Sequence, residues 1–125
     1  MDQDIHFQHS TVFASGGEVT TYFQLPYGCT LRAVTGIVQG DPGDDETITI
    51  TGGGSVASGA GGATNALGVL TFGSDIAAGA VGSWTPNITT GGMTLLSGSL
   101  LKLVASQGTA ACDIDIDIEL DPYAR

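Results

Sequence analysis

The chain has 125 residues, of which 20 are glycine and only 13% are charged. Thirteen acidic residues against three basic ones (Arg32, Lys102 and Arg125) give a net charge of −10, which excludes a surface able to neutralise many phosphates and disfavours an anionic membrane. The length suits one domain that buries roughly two-thirds of its unfolded surface without metal or disulfide staples, and a chain rich in Gly, Ala, Thr and Ser but poor in helix formers predicts short strands joined by many turns.

Residues 1–10 are polar and read without a period, so they predict an extended arm ahead of a single domain over residues 11–125. This stretch has no basic segment followed by an apolar run, and no part of the chain approaches the roughly 18 apolar residues of a membrane span. The expectation is a chain made and folded in a cytoplasm. His6 and His9 form H-x-x-H, a spacing open to a metal pair, but no further ligands accompany it. Residues 11–15 and 18–25 flank Gly16-Gly17 and predict a hairpin.

A break at Pro26-Tyr27-Gly28 separates these from a strand over residues 29–39, CTLRAVTGIVQ. The next six residues, GDPGDD, are turn formers. Asp41, Asp44, Asp45 and Glu46 form an acidic cluster there whose spacing does not match a calcium loop, so a solvated turn is expected. Residues 46–51, ETITIT, alternate with period two, placing Ile48 and Ile50 on one face and Thr47, Thr49 and Thr51 on the other. The low-complexity residues 52–66 predict a long exposed loop. A short strand follows over 67–72, then an irregular stretch over 73–86 carrying Trp84, then short strands over 87–90 and 93–96.

Residues 100–106 and 112–120 around a turn at 107–109 predict a closing hairpin. Its second strand, CDIDIDIEL, turns Cys112, Ile114, Ile116, Ile118 and Leu120 inward and Asp113, Asp115, Asp117 and Glu119 outward. Lys102 is expected across from Asp115 or Asp117. Together these elements predict an all-β fold, an antiparallel β-sandwich or jelly roll of about eight short strands, with a closed barrel as the alternative.

Chemistry is sparse. Cys29 and Cys112 are too few for a metal cluster and too distant for a C-x-x-C motif; buried free thiols are expected and a disulfide stays open. No G-x-S-x-G is present, and the Gly-rich run lacks the Gly-Lys-Ser/Thr of a phosphate loop. Asn87-Ile88-Thr89 matches a glycosylation triplet. The acidic face has three readings: a solvated surface that keeps sheets from stacking, a docking face for a basic partner, or a weak calcium site. Trp84, Tyr22, Phe23, Tyr27, Phe72 and Tyr123 serve either core and interface filling or a sugar-binding platform. A small hydrolase using Asp113 and Asp115 is disfavoured, because carboxylates on an open face lack the sheltered, separated pKa values of acid–base chemistry. The residues imply no catalytic, metal or cofactor-binding set and no enzyme.

From Cys29 onward the stretch CTLRAVTGIVQGDPGDDETITIT, a Gly-rich excursion, LGVLTF, AAGAVGSWTP and LLSGSLLKLVASQGTAACDIDIDIEL follow in an order similar to the small decoration (cement) proteins of tailed-bacteriophage heads. The resemblance covers about three-quarters of the chain. Ser99, in Ser97-Gly98-Ser99-Leu100-Leu101, stands where such proteins often carry an acid. What the resemblance implies is a homotrimer on the outer capsid surface, bound to the major capsid protein and strengthening joints between capsomers. Capsid-contact candidates under that reading are His6, Phe7, His9, Val12 and Phe13 in and beside the arm. The competing structural reading is a fibre or tail-associated sandwich that binds host glycan through Trp84.

Overall fold

Alternation of apolar and polar residues builds each strand and assigns its two faces. The computed structural model describes residues 5–43, 45–53, 65–73, 76–87 and 94–122. Within them lie nine strands: β1 (Ile5–Phe13), β2 (Val19–Gln24), β3 (Cys29–Val38), β4 (Glu46–Gly53), β5 (Asn65–Phe72), β6 (Ser83–Pro86), β7 (Thr94–Leu95), β8 (Leu100–Ala105) and β9 (Cys112–Pro122). Every named pairing is antiparallel. One sheet runs β1-β9-β3-β7 and the other β2-β8-β4-β5-β6. Apart from the added edge strand β6, this is the jelly roll of two interleaved four-stranded sheets.

The core lies between the sheets. Phe13, Leu25, Val38, Ile48, Ile50, Leu67, Leu70, Leu101, Ile114 and Ile118 are fully enclosed, and Phe13 meets Phe72 edge to face with ring centroids 5.5 Å apart. Two glycines set how closely the sheets approach. A Cβ on Gly36 would lie 2.5 Å from a Leu70 methyl, and one on Gly82 would lie 2.7 Å from the Phe72 ring. One side of the sandwich closes where residues 79–82 bond to β3, with Val38 N donating to Ala80 O at 3.0 Å and Gly82 N to Gly36 O at 2.9 Å. The chain then crosses to the second sheet, where β6 pairs with β5. Phe7 of β1 stacking on Phe23 of β2, at 6.4 Å and 9°, closes the other side.

The strands expected at 29–39, 46–51 and 67–72 are present, as is a short one within 93–96. Four expectations need correction. The arm is a strand from Ile5 onward: Ile5, Phe7, His9, Thr11 and Phe13 face inward in register with β9, and polar His9 and Thr11 at inward positions disguise the period. The turn at Gly16-Gly17 exists and carries an Ala14–Gly17 bridge, yet β1 and β2 enter different sheets instead of pairing. The closing hairpin is also an arch. β8 pairs with β2 and β4, β9 with β1 and β3, and residues 106–111 span the roughly 10 Å between sheets. Lys102 accordingly sits opposite Tyr22 and Thr51. Finally, the stretch over 73–86 is not wholly irregular, since Ser83–Pro86 extends the β5 ladder.

Most of the expected 52–66 loop, the 88–90 part of an expected strand and Asp44 lie outside the described residues. Cys29 and Cys112 are buried and free. Their strands are neighbours, but Cys29 pairs with Pro122 at the far end of β9. Ten residues of extended strand, about 34 Å, hold the thiols apart and exclude a disulfide.

Candidate binding face of the four-stranded sheet

β9 is an inner strand of its sheet, so its outward row, Asp113, Asp115, Asp117, Glu119 and Asp121, runs down the middle of the outer face. Same-side neighbours on a strand lie about 6.8 Å apart, and bare carboxylates at that spacing repel. The two flanking strands answer this with donors. From β1, Ser10 Oγ donates to Asp115 Oδ1 at 2.8 Å and His6 Nδ1 lies 2.8 Å from Asp117 Oδ2. From the β3 side, Gln39 Nε2 donates to the other Asp115 oxygen at 3.0 Å.

Arg32 reaches Glu119 at 4.0 Å and Asp121 at 3.7 Å. It can do so because β3 carries a bulge between Leu31 and Ala33. The extra residue turns Arg32 onto the outer face while Leu31 and Val34 stay buried. The carboxylates nonetheless outnumber Arg32 and His6, so the face keeps a negative excess.

A shallow depression of about 480 Å³ lies over β9, lined chiefly by Gln8, Ser10, Thr35, Ile37, Asp115 and Asp117. Ile37 is 38% exposed, and its bridge partner Val81 is 63% exposed. Two apolar side chains therefore border the acidic row on the same side of the sheet. Among the described residues no group of three or more His, Cys, Asp or Glu side chains is arranged to hold a metal ion.

The sequence candidates divide by parity. Asp113 and Asp115 are exposed outward, and Asp117 and Glu119 point outward half-buried. His6 and Val12 belong to the same face, in register with Glu119 and Asp113. Phe7 and His9 turn the other way and pack on Phe23, His9 edge-on at 5.0 Å. Phe13 is in the core and cannot serve as an arm anchor. His6 and His9, three apart in a strand, lie on opposite faces, so they form no metal pair.

Among the described residues, Trp84, Tyr22 and Phe72 share no common platform. Trp84 on β6 packs against the core, and Gly68 leaves room for its indole. Tyr22 lies on β2 at the opposite edge of that sheet, four strand spacings or about 19 Å away. Phe72 is buried, and Tyr123 lies outside the described residues. The sequence reading missed Gln39, Ser10 and Arg32 as partners of the carboxylates, because it paired β9 with β8. No family model matches the chain and no curated protein matches it, so its function has to be read from its own surface.

Proposed function

We propose that the chain is a structural, non-enzymatic virion protein that seats on the outside of a tailed-phage capsid as a homotrimer and stabilises joints between capsomers. The major capsid protein is the partner, and the outer head surface is the location after synthesis in the host cytoplasm. Jelly rolls recur among viral shell proteins and lectins, but a fold does not choose a function. The reading rests on one feature, the acidic row of β9 held by flanking donors and bordered by exposed Ile37 and Val81. A flat sheet face of that kind suits a basic, partly apolar surface on a larger body.

Three subunits of net charge −10 repel one another, so trimer contacts require apolar burial. Leu96, 67% exposed, and Tyr27, 42% exposed, supply it from two loops joined by the Ser97 hydroxyl donating to Pro26 O.

The test is to mix purified protein with undecorated heads, count bound copies after sedimentation, and measure oligomeric state by light scattering. Saturable attachment of a trimer, weakened at least tenfold by the double change Asp115→Lys with Asp117→Lys, is expected. A monomer that ignores heads from every candidate host overturns the proposal.

A further inference from the structure

Carboxylates are spread unevenly over this sandwich. Among the described residues, five form the outward row of β9 and Asp41 lies in the β3–β4 turn. Glu46 is the one acid on the strands of the five-stranded sheet. It turns inward with Ile48 and Ile50, is buried, and accepts the Ser106 hydroxyl at 2.7 Å. Glu18 and Asp45 stand at one end of that sheet, just ahead of β2 and β4. From there to its other end, the outer face presents no carboxylate among the described residues.

Strand register sets a row straight across this face: Thr20, Val104, Thr49, Val69 and Thr85. The next row holds Tyr22, Lys102 and Thr51, and Lys102 is the only charged side chain on the face among the described residues. Branched Thr and Val side chains are stiff at χ1 and lose little freedom when covered. Each threonine also offers a hydroxyl that can donate or accept across a contact. Toward β6 the surface dips into a depression of about 210 Å³ walled chiefly by Ala66, Val69, Thr85 and Pro86. Tyr22, 44% exposed, stands on the opposite edge strand.

Charge selects the occupant. Each copy carries −10, so two copies meeting through their β9 faces would set one carboxylate row against another. A basic partner is drawn to that acidic row instead. Two five-stranded faces oppose no carboxylates away from the Glu18 and Asp45 end, and Lys102 meets a molecule of opposite sign. Five strands and six residues of rise make a face of about 24 by 20 Å. Two of them together bury about 1,000 Å², the lower bound for a specific interface. The loops carrying Tyr27 and Leu96 adjoin its β2–β8 end, where Leu25 N donates to Ser99 O and Gly98 N to Leu25 O. Tyr22 and the depression lie at opposite edges, so a contact between them runs head to tail, a form that closes into a ring.

We infer that copies of this chain meet through the outer face of the five-stranded sheet. Of the proposed function this takes only self-association; it needs no capsid.

The experiment is sedimentation velocity of the full chain across protein concentrations, at low and at high NaCl. A concentration-dependent oligomer is expected, tighter in high salt because screening removes repulsion between like-charged copies. Val69→Glu puts a carboxylate in the middle of the face and should weaken association at least tenfold. Thr20→Glu with Thr71→Glu, both at exposed positions, should do the same and carries the test if Val69→Glu does not fold. Thr35→Glu adds the same charge to the acidic sheet and should change association less than twofold. Oligomers that persist unchanged in the folded face variants overturn the inference while leaving self-association standing. A monomer at every concentration overturns both. Association weakened as much by Thr35→Glu, or loosened by NaCl, also overturns the inference. So does a monomeric parent whose attachment to heads is lost in Val69→Glu, which would assign the face to the capsid protein.

Discussion

A thiol buried among aliphatic side chains loses the hydration that a thiolate needs. Burial raises the pKa of Cys29 from the ordinary thiol value, so the folded state favours the protonated form. That contribution to stability is complete below the unfolded thiol range and is lost as pH climbs through the raised value. Neither cysteine should react with a thiol-specific reagent in the native protein at pH 8, and both should react in denaturant; native labelling of either would contradict their burial. Gly36 illustrates the same dependence on packing. Gly36→Ala drives a methyl toward Leu70 and the end of the Phe72 ring, and overpacking of this kind costs about 1–3 kcal/mol. A urea midpoint lowered by that amount is expected, while Gly73→Ala, which meets open space, should stay within about 0.5 kcal/mol of the parent.

At the scale of the element, β1 decides how the amino terminus can be studied. Its inward residues complete the β9 ladder and cover Phe23. Removing residues 1–10 therefore strips most of an edge strand and leaves β9 and Phe23 facing water. The expected result is an aggregating or partly unfolded protein with a lowered thermal midpoint, whereas His6→Ala, at an exposed position, should leave the midpoint nearly unchanged. A truncated chain that melts like the full one would mean that β1 does not contribute to the fold. Strand identity in β4 and β9 was legible because each alternates cleanly, and β3 and β5 stood out as apolar runs between turn formers despite their irregularities; β1 was not legible, because His9 and Thr11 occupy inward positions. Pairing was less legible than identity. β8 and β9 have the face pattern of a hairpin, and period two says which side a residue faces without saying which sheet it joins. The signal against the hairpin was the length of residues 106–111, longer than a tight turn requires. Glu46 was also within reach of the pattern: the alternation that turns Ile48 and Ile50 inward turns Glu46 inward with them, although a glutamate beside a run of aspartates reads as solvated turn. Arg32 depended on a bulge, which no periodicity reveals.

For the whole molecule, the net charge of −10 acts on stability and on association with opposite signs in salt. Adjacent carboxylates on the β9 row, about 6.8 Å apart, repel by roughly 0.6 kcal/mol per pair even at the dielectric constant of water. The screening length falls from about 10 Å at 0.1 M to about 3 Å at 1 M, so most of that repulsion disappears over this range. Folding should therefore gain about 1–2 kcal/mol between low salt and 1 M NaCl, read as a rising urea midpoint. Sodium chloride is the salt to use, since sulfate would strengthen apolar burial by itself. The variant Asp115→Asn with Asp117→Asn should gain less, because less repulsion remains to be screened. Docking of the same face on a basic surface is weakened by the salt that stabilises the fold, because screening then removes attraction. Attachment to heads should accordingly fall as NaCl rises while the protein becomes more stable, and that divergence separates lost binding from lost structure. Binding that holds steady from low salt to 1 M NaCl would assign the contact to apolar groups such as Ile37 and Val81 and leave the acidic row as a solvated surface.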